Sequence, residues 1–183
     1  MVTGMSGFRI EPAPREGGPA LVDTLMQIDE EASELYRAAG IILDLTSEHP
    51  FVTAERSRWT GAVRDGNVLL AVGPEGEVAG FAVRETLDGA AYLDQLAVRP
   101  RAMRNGLGRR LTESVAHRVR AQGERALWLT TYGHLAWNAP FYERLGFVRA
   151  DEAHCGPELR ATLADQRSVL PAPEQRVAML LTL

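Results

Sequence analysis

The stretch AAYLDQLAVRPRAMRNGLGRRLTESVAHRVRAQG, from Ala90 to Gly123, constrains the fold more than any other part of the chain. Tyr92 to Val98 is short, apolar and followed by Pro100, the pattern of a strand. Leu107, Leu111, Val115 and Val119 then recur every four residues, the stripe of an amphipathic helix. The turn between them is rich in arginine and glycine. A helix start leaves backbone N–H groups unpaired and carries about half a positive charge, and Gly106 and Gly108 let a large anion approach with no Cβ in the way. Glycines before a helix also serve plain tight connections. The arginines favour an anion: Arg99, Arg101, Arg104, Arg109 and Arg110 place a quarter of the 20 basic residues between positions 99 and 110, so the local field is expected to be positive. The glycine, lysine and serine or threonine ending of a P-loop is absent, and the third glycine of the dinucleotide fingerprint would fall at Leu111. The expectation is a phosphate-binding strand, turn and helix.

Length and composition bound the rest. A chain of 183 residues with 45% hydrophobic content suits a single domain spanning 1–183 with a sizeable core. A formal charge of −4 argues against broad nucleic-acid or anionic-membrane binding. The single cysteine, Cys155, rules out an internal disulfide framework and a cysteine-rich zinc site, and no metal is expected. With no secretory hydrophobic region and no run of about 18 apolar residues, we expect a soluble cytoplasmic protein. All 20 basic residues are arginines, so the chain offers no lysine for self-acylation.

The order of segments predicts a mixed α/β sheet. A first strand at Phe8 to Glu11 precedes a helix whose stripe is Leu21, Leu25, Ile28, Ala32 and Leu35, with a largely solvated acidic face opposite. Thr53 is expected to cap a second helix running to Arg64. Strands at Val68 to Val72, Val78 to Arg84 and Tyr92 to Val98 are joined by short glycine turns, which favours an antiparallel meander. The crossover helix puts Ala126 to Thr131 beside the third of these as a parallel neighbour. A helix from Asn138 or Ala139 ends at Gly146 before a strand at Phe147 to Arg149. Leu159, Leu163 and Val169 allow a short helix in a proline-rich excursion, and Val177 to Leu183 is a last apolar strand, open to exchange or pairing across a homodimer. Helices on both faces of the sheet are the simplest accommodation.

The segment LDQLAVRPRAMRNGLGRRL resembles the core motif of the GNAT superfamily of acyl-coenzyme A N-acyltransferases, in which a strand ending apolar-x-Val-x-Pro precedes Gln/Arg-x-x-Gly-x-Gly/Ala. Gly106 and Gly108 match the glycine pair, while Met103 stands where the family has Gln or Arg. A second block, NAPFYERLGF from Asn138 to Phe147, is similar to the family's downstream asparagine, helix and Tyr-x-x-Leu-Gly-Phe signature. The resemblance implies a GNAT-like, mostly antiparallel sheet whose parallel central strands splay. It implies that the pantetheine arm of acetyl-CoA is held like an added strand by the backbone of Leu96, Ala97 and Val98. The pyrophosphate would sit on the turn formed by Met103, Arg104, Asn105, Gly106, Leu107, Gly108 and Arg109. Asn138 is a candidate cofactor contact, with helix capping as the competing role. In this family the first helices and their loop usually close the acceptor side, which makes Tyr36, His49 and Phe51 candidates for acceptor contact. His134 and Trp137, in the loop before Asn138, are further candidates, and ordinary packing is the competing explanation for each of the five.

Acyl transfer to an amine needs an unprotonated nucleophile and a proton for the departing thiolate. Tyr142, in the matching block, is the candidate donor, since a phenol of pKa about 10 is protonated at neutral pH and a thiol of about 8.5 accepts the proton. Period-two alternation puts Tyr92, Asp94 and Val98 on one strand face, where Asp94 is either the base for the amine or a structural acceptor. Glu85 is a weaker alternative. The expected function is N-acetyl transfer from acetyl-CoA directly to a primary amine of a small molecule or peptide. The rival is a non-catalytic acyl-CoA sensor, and a generic nucleotide-binding domain is more distant.

Overall fold

The computed structural model describes residues 7–183, and short turns decide how its sheet begins. β1 (Arg9–Pro12) leads into α1 (Gly18–Ala38) and α2 (Pro50–Arg64), followed by a meander of β2 (Val68–Val72), β3 (Val78–Leu87) and β4 (Ala90–Val98). Then come α3 (Leu107–Ala121), β5 (Ala126–Tyr132), α4 (Ala139–Glu143), β6 (Val148–Ala150), α5 (Pro157–Val169) and β7 (Arg176–Thr182). One sheet runs β1-β2-β3-β4-β5-β7-β6 and is antiparallel except between β4 and β5. The mixed, mostly antiparallel sheet expected from the sequence is therefore present.

Each face of the sheet buries its own helices. Leu107, Leu111, Val115 and Val119 of α3 pack with Leu93, Leu127, Leu129 and Met179, and Tyr142 and Phe147 join this core. On the opposite face α1 and α2 contribute Leu25, Ile28, Trp59 and Val63 over Leu70, Phe81 and Val83. α5 covers the far end of that second face, with Leu159 against Tyr92 and Ala178 and the buried thiol of Cys155 beside them. Among the described residues no helix is long and apolar enough to cross a membrane.

Two expectations need correction. α2 begins at Pro50 and is capped by His49, whose Nδ1 accepts the Phe51 N–H at 3.1 Å, while the Thr53 hydroxyl donates to the Pro50 carbonyl at 3.0 Å. β7 is paired along its length to β5 and, at Ala178 to Leu180, to β6. Tyr92, Asp94 and Val98 do not share one face. Val83 pairs with Gln95 and Arg84 with Leu93, which leaves Asp94 as an extra residue in β4. Such a bulge resets the alternation: Tyr92 and Asp94 face α5 and α2, whereas Val98 packs against the α3 core.

The turn from β3 to β4 does a second job. Asp88 and Gly89 both have positive φ, 52° and 74°, as a two-residue hairpin turn of matching twist requires. The Asp88 carboxylate then accepts the N–H groups of Glu158 and Leu159 at 2.9 and 3.0 Å, capping α5 from a distant part of the chain. A Cβ on Gly156 would lie 2.2 Å from that carboxylate, so a larger residue entering α5 would push Asp88 out of its capping position. Asp88→Ala is expected to destabilise the chain by about 1–2 kcal/mol, measured by urea unfolding.

Candidate active site

β4 and β5 are held together at only three positions, Ala91, Tyr92 and Leu93 opposite Leu127, Trp128 and Leu129. Beyond them Gln95 to Val98 pair only with β3, and Thr130 to Tyr132 only with β7. The strands separate, and main-chain donors and acceptors on both sides face the gap. A cavity of about 620 Å³ opens there, lined by Asp94, Gln95, Leu96 and Ala97 of β4, by Leu129 to Tyr132 of β5, and by Tyr36, Phe51, Asn138 and Tyr142.

The turn before α3 has the form an anion needs, though with less positive charge than expected. Arg104 and Gly106 lie in the left-handed region at φ 65° and 70°. The Asn105 side-chain amide donates to the carbonyls of Ala102 and Met103 at 3.0 and 3.3 Å, which braces the turn. No side chain caps the start of α3 and no acidic residue occupies its first turn, so the N–H groups of Leu107, Gly108 and Arg109 keep their partial positive charge. At Gly108 a Cβ would stand 3.5 Å from Phe141, an ordinary contact, so the strict demand for glycine falls on Gly106. Three of the five arginines are engaged elsewhere. Arg99 is buried, donating to the Val78 carbonyl at 2.9 Å and pairing with Glu31. Arg109 pairs with Glu113 at 2.7 Å, and Arg110 donates to the Phe8 carbonyl at 3.0 Å. Met103 packs its side chain against the core of α1 and α2, and its main-chain N–H and carbonyl are taken by Pro100 and Asn105.

On the helical side the predicted residues divide. Tyr36 and Phe51 line the cavity. The Asn138 amide does not cap α4: it meets the Tyr36 hydroxyl through Oδ1 at 3.3 Å and Nδ2 at 3.2 Å, and its main-chain carbonyl accepts the N–H groups of Phe141 and Tyr142. His49, His134 and Trp137 are not part of the lining. His49 caps α2, while His134 packs edge-on against Tyr132 and Trp137 edge-on against Tyr36. Tyr142 is buried, and desolvation, helped by neighbouring Tyr36 and Tyr92, pushes its pKa well above the usual phenol range.

Partly buried acids gather at the bulge, and most were not legible as site residues. The Asp94 side chain is 6% exposed; its Oδ2 accepts Trp59 Nε1–H at 2.9 Å, and Arg58 stands 3.7 Å from Oδ1. Burial pushes the Asp94 carboxyl up despite these partners. Glu55 and Asp29 line the cavity beside it. Burial first, then the charges of Asp29 and Asp94, pushes Glu55 up to about 8. Burial, partly offset by a hydrogen bond from Gln95 and reinforced by Asp94, raises Asp29 to about 6. Glu85 reaches about 7 by burial and the charge of Asp94, lies 3.8 Å from Arg58 and does not line the cavity. Among the described residues no group of histidines, cysteines and acids is arranged to hold a metal ion.

Because the folded chain keeps Glu55 protonated above its ordinary 4.5, it binds more protons than the unfolded chain between pH 4.5 and about 8. Stability from this group is complete below the lower limit and is lost as pH rises through the upper one. Glu55→Gln is therefore expected to flatten the fall in stability across that window and to exceed the parent in urea unfolding at pH 9.

Residues 24–147 match the model of the Acetyltransferase (GNAT) family. The chain is 36% identical over 75 residues to the ribosomal protein bS18-alanine N-acetyltransferase of Escherichia coli (strain K12), an alignment covering 41% of this chain and 51% of that protein. It spans about half the length of the curated relatives it matches. Its fold is similar to that of an acetyltransferase from Streptococcus agalactiae 2603, with a TM-score of 0.71, 16% identity and coverage of 97% and 99% of the two chains. It is also similar to the PaiA N-acetyltransferase of Thermoplasma acidophilum solved with coenzyme A, with a TM-score of 0.64, 14% identity and coverage of 96% and 99%. With its separated parallel strands, uncapped helix start and matching sequence over more than half its length, the chain belongs to the GNAT acetyltransferase family.

Proposed function

We propose that the chain is an acyl-CoA-dependent N-acetyltransferase acting on a primary amine held in the cavity beside Asp94. The observation that carries this reading is the gap between β4 and β5, bordered by Tyr142 and lying beyond a helix start with no cap of its own. The donor set suits acetyl-CoA: Leu96, Ala97 and Val98 offer main-chain groups for the amides of its arm, and the amides of the turn through Arg109 offer donors for its pyrophosphate. Acetyl-CoA supplies the acyl group as a thioester. A main-chain N–H of β4 at the gap stabilises negative charge developing on the carbonyl oxygen.

The amine nitrogen must lose a proton as it bonds to the acyl carbon, and Asp94 takes it at a carboxylate oxygen, directly or through water. The Tyr142 hydroxyl serves the sulfur as the carbon–sulfur bond breaks. Its pKa lies well above that of a thiol, about 8.5, so full proton transfer runs uphill, and the hydroxyl acts as a charge-assisted hydrogen-bond donor. The proton released from the amine completes the thiol. A cytoplasmic setting fits the reduced, buried Cys155.

Tyr142→Phe is expected to lower turnover about 10²- to 10⁴-fold with CoA affinity unchanged, read by free-thiol release and by calorimetric titration of CoA. CoA binding without thiol release in the parent, across peptide N-termini, polyamines, aminoglycosides and amino acids, would identify a sensor instead. Asp94→Asn is expected to remove the acid limb of the pH–rate profile; an unaltered profile would take Asp94 out of the base role.

A further inference from the structure

Arg176 opens β7 opposite Tyr132 and lines the cavity, yet it is 7% exposed and has no carboxylate within ion-pair distance among the described residues. Its side chain meets only neutral partners, and the like charge of Arg167 stands nearby. Nη2 donates to Gln166 Oε1 at 2.6 Å and to Thr130 Oγ1 at 3.4 Å, and the guanidinium carbon stands 4.7 Å from the centre of the Tyr132 ring. Nε is buried with no partner. The neutral acceptors are already committed to each other, because the Thr130 hydroxyl donates to Gln166 Oε1 at 2.8 Å and lies 2.7 Å from the Tyr92 hydroxyl. Arginine does not escape this environment by losing its proton, and a buried charge with unsatisfied donors is costly unless something anionic meets it.

Asp29, Glu55 and Asp94 line the cavity from α1, α2 and β4, with Arg58 3.7 Å from Asp94, and Arg176 lines it from β7. Tyr36 is within reach of the charges of Asp29 and Arg176, and the buried Tyr92 of those of Asp94 and Arg176. We infer that the acceptor is a free amino acid, whose carboxylate is taken by Arg176 while its amino group lies on the Asp94 side. This rests on the acetyltransferase reading and narrows it. A polyamine would bring a second cation toward the guanidinium, and a peptide N-terminus would put a neutral amide where the carboxylate belongs.

The test compares, on the parent chain with acetyl-CoA, the 20 protein amino acids, β-alanine and 4-aminobutyrate with their carboxamides, alongside spermidine and an alanine-initiated peptide. The best amino acid is expected to exceed its own carboxamide about tenfold or more in kcat/KM. Arg176→Gln should erase that ratio chiefly through KM, with the Kd for CoA unchanged, and Arg176→Lys should restore part of it. Equal rates for acid and carboxamide, preference for spermidine or the peptide, or an undiminished ratio in Arg176→Gln would overturn the inference. The comparison on the parent decides even where a variant fails to fold. Absence of acetylation of every amine would refute the transferase instead. Calorimetric titration of the same acids and carboxamides into the CoA-loaded parent then reads the carboxylate requirement alone: binding of an acid but not its carboxamide supports it, and binding of neither, or of both equally, overturns it.

Discussion

The structure depends on β4 and β5 giving up their hydrogen bonds after three residue pairs. Peptide groups left unpaired inside a protein are costly, so such a separation persists only where water or a ligand completes them. The extra residue at Asp94 belongs to this break. A bulge bends its strand and increases local twist, and here it falls immediately after Leu93, the last residue of β4 joined to β5. One inserted residue both opens the sheet and turns a carboxylate toward the helices that wall the opening.

Those helices are anchored by the groups that tune the carboxylates. Trp59 is fully buried, packs edge-on against Phe81 at 5.1 Å and donates to Asp94, so the core of α2 and the polar end of the cavity share one side chain. α1 is fixed in the same manner by Asp29 on Gln95 and by Glu31 on Arg99. Each contact joins an acid of α1 to β4 or to the residue just after it. The acceptor wall is therefore registered to the strand that lines the gap, as chemistry at a fixed distance requires.

Much of this was legible in the sequence because local patterns governed it. The meander, the crossover helix, the parallel pair and the glycine turn all rest on periodicity and turn residues close together in the chain, and the strand at Val68–Val72 falls between the turns that bound it. The bulge was not read from the sequence: Asp94 and Gln95 are two polar residues in succession, but only pairing with β3 shows that one of them is extra. Thr53 looked like a cap because hydroxyl side chains usually supply one, whereas the imidazole of His49 does so here. The roles of Glu55, Asp29 and Arg176 depend on contacts across the fold: Arg176 meets Gln166 and Thr130, residues whose sequence positions give no sign of a shared pocket. The arginines near the glycine turn misled in the opposite sense, because a count of charges does not show that Glu31 and Glu113 neutralise two of them.

The carboxylate of Asp88 ties α5 to the hairpin from which β4 departs. α5 carries Gln166, which holds the guanidinium of Arg176, and β4 carries Asp94. The hairpin tip therefore touches, through α5 and through β4, the elements that carry Asp94 and the partner of Arg176, and a change there reaches both walls of the cavity.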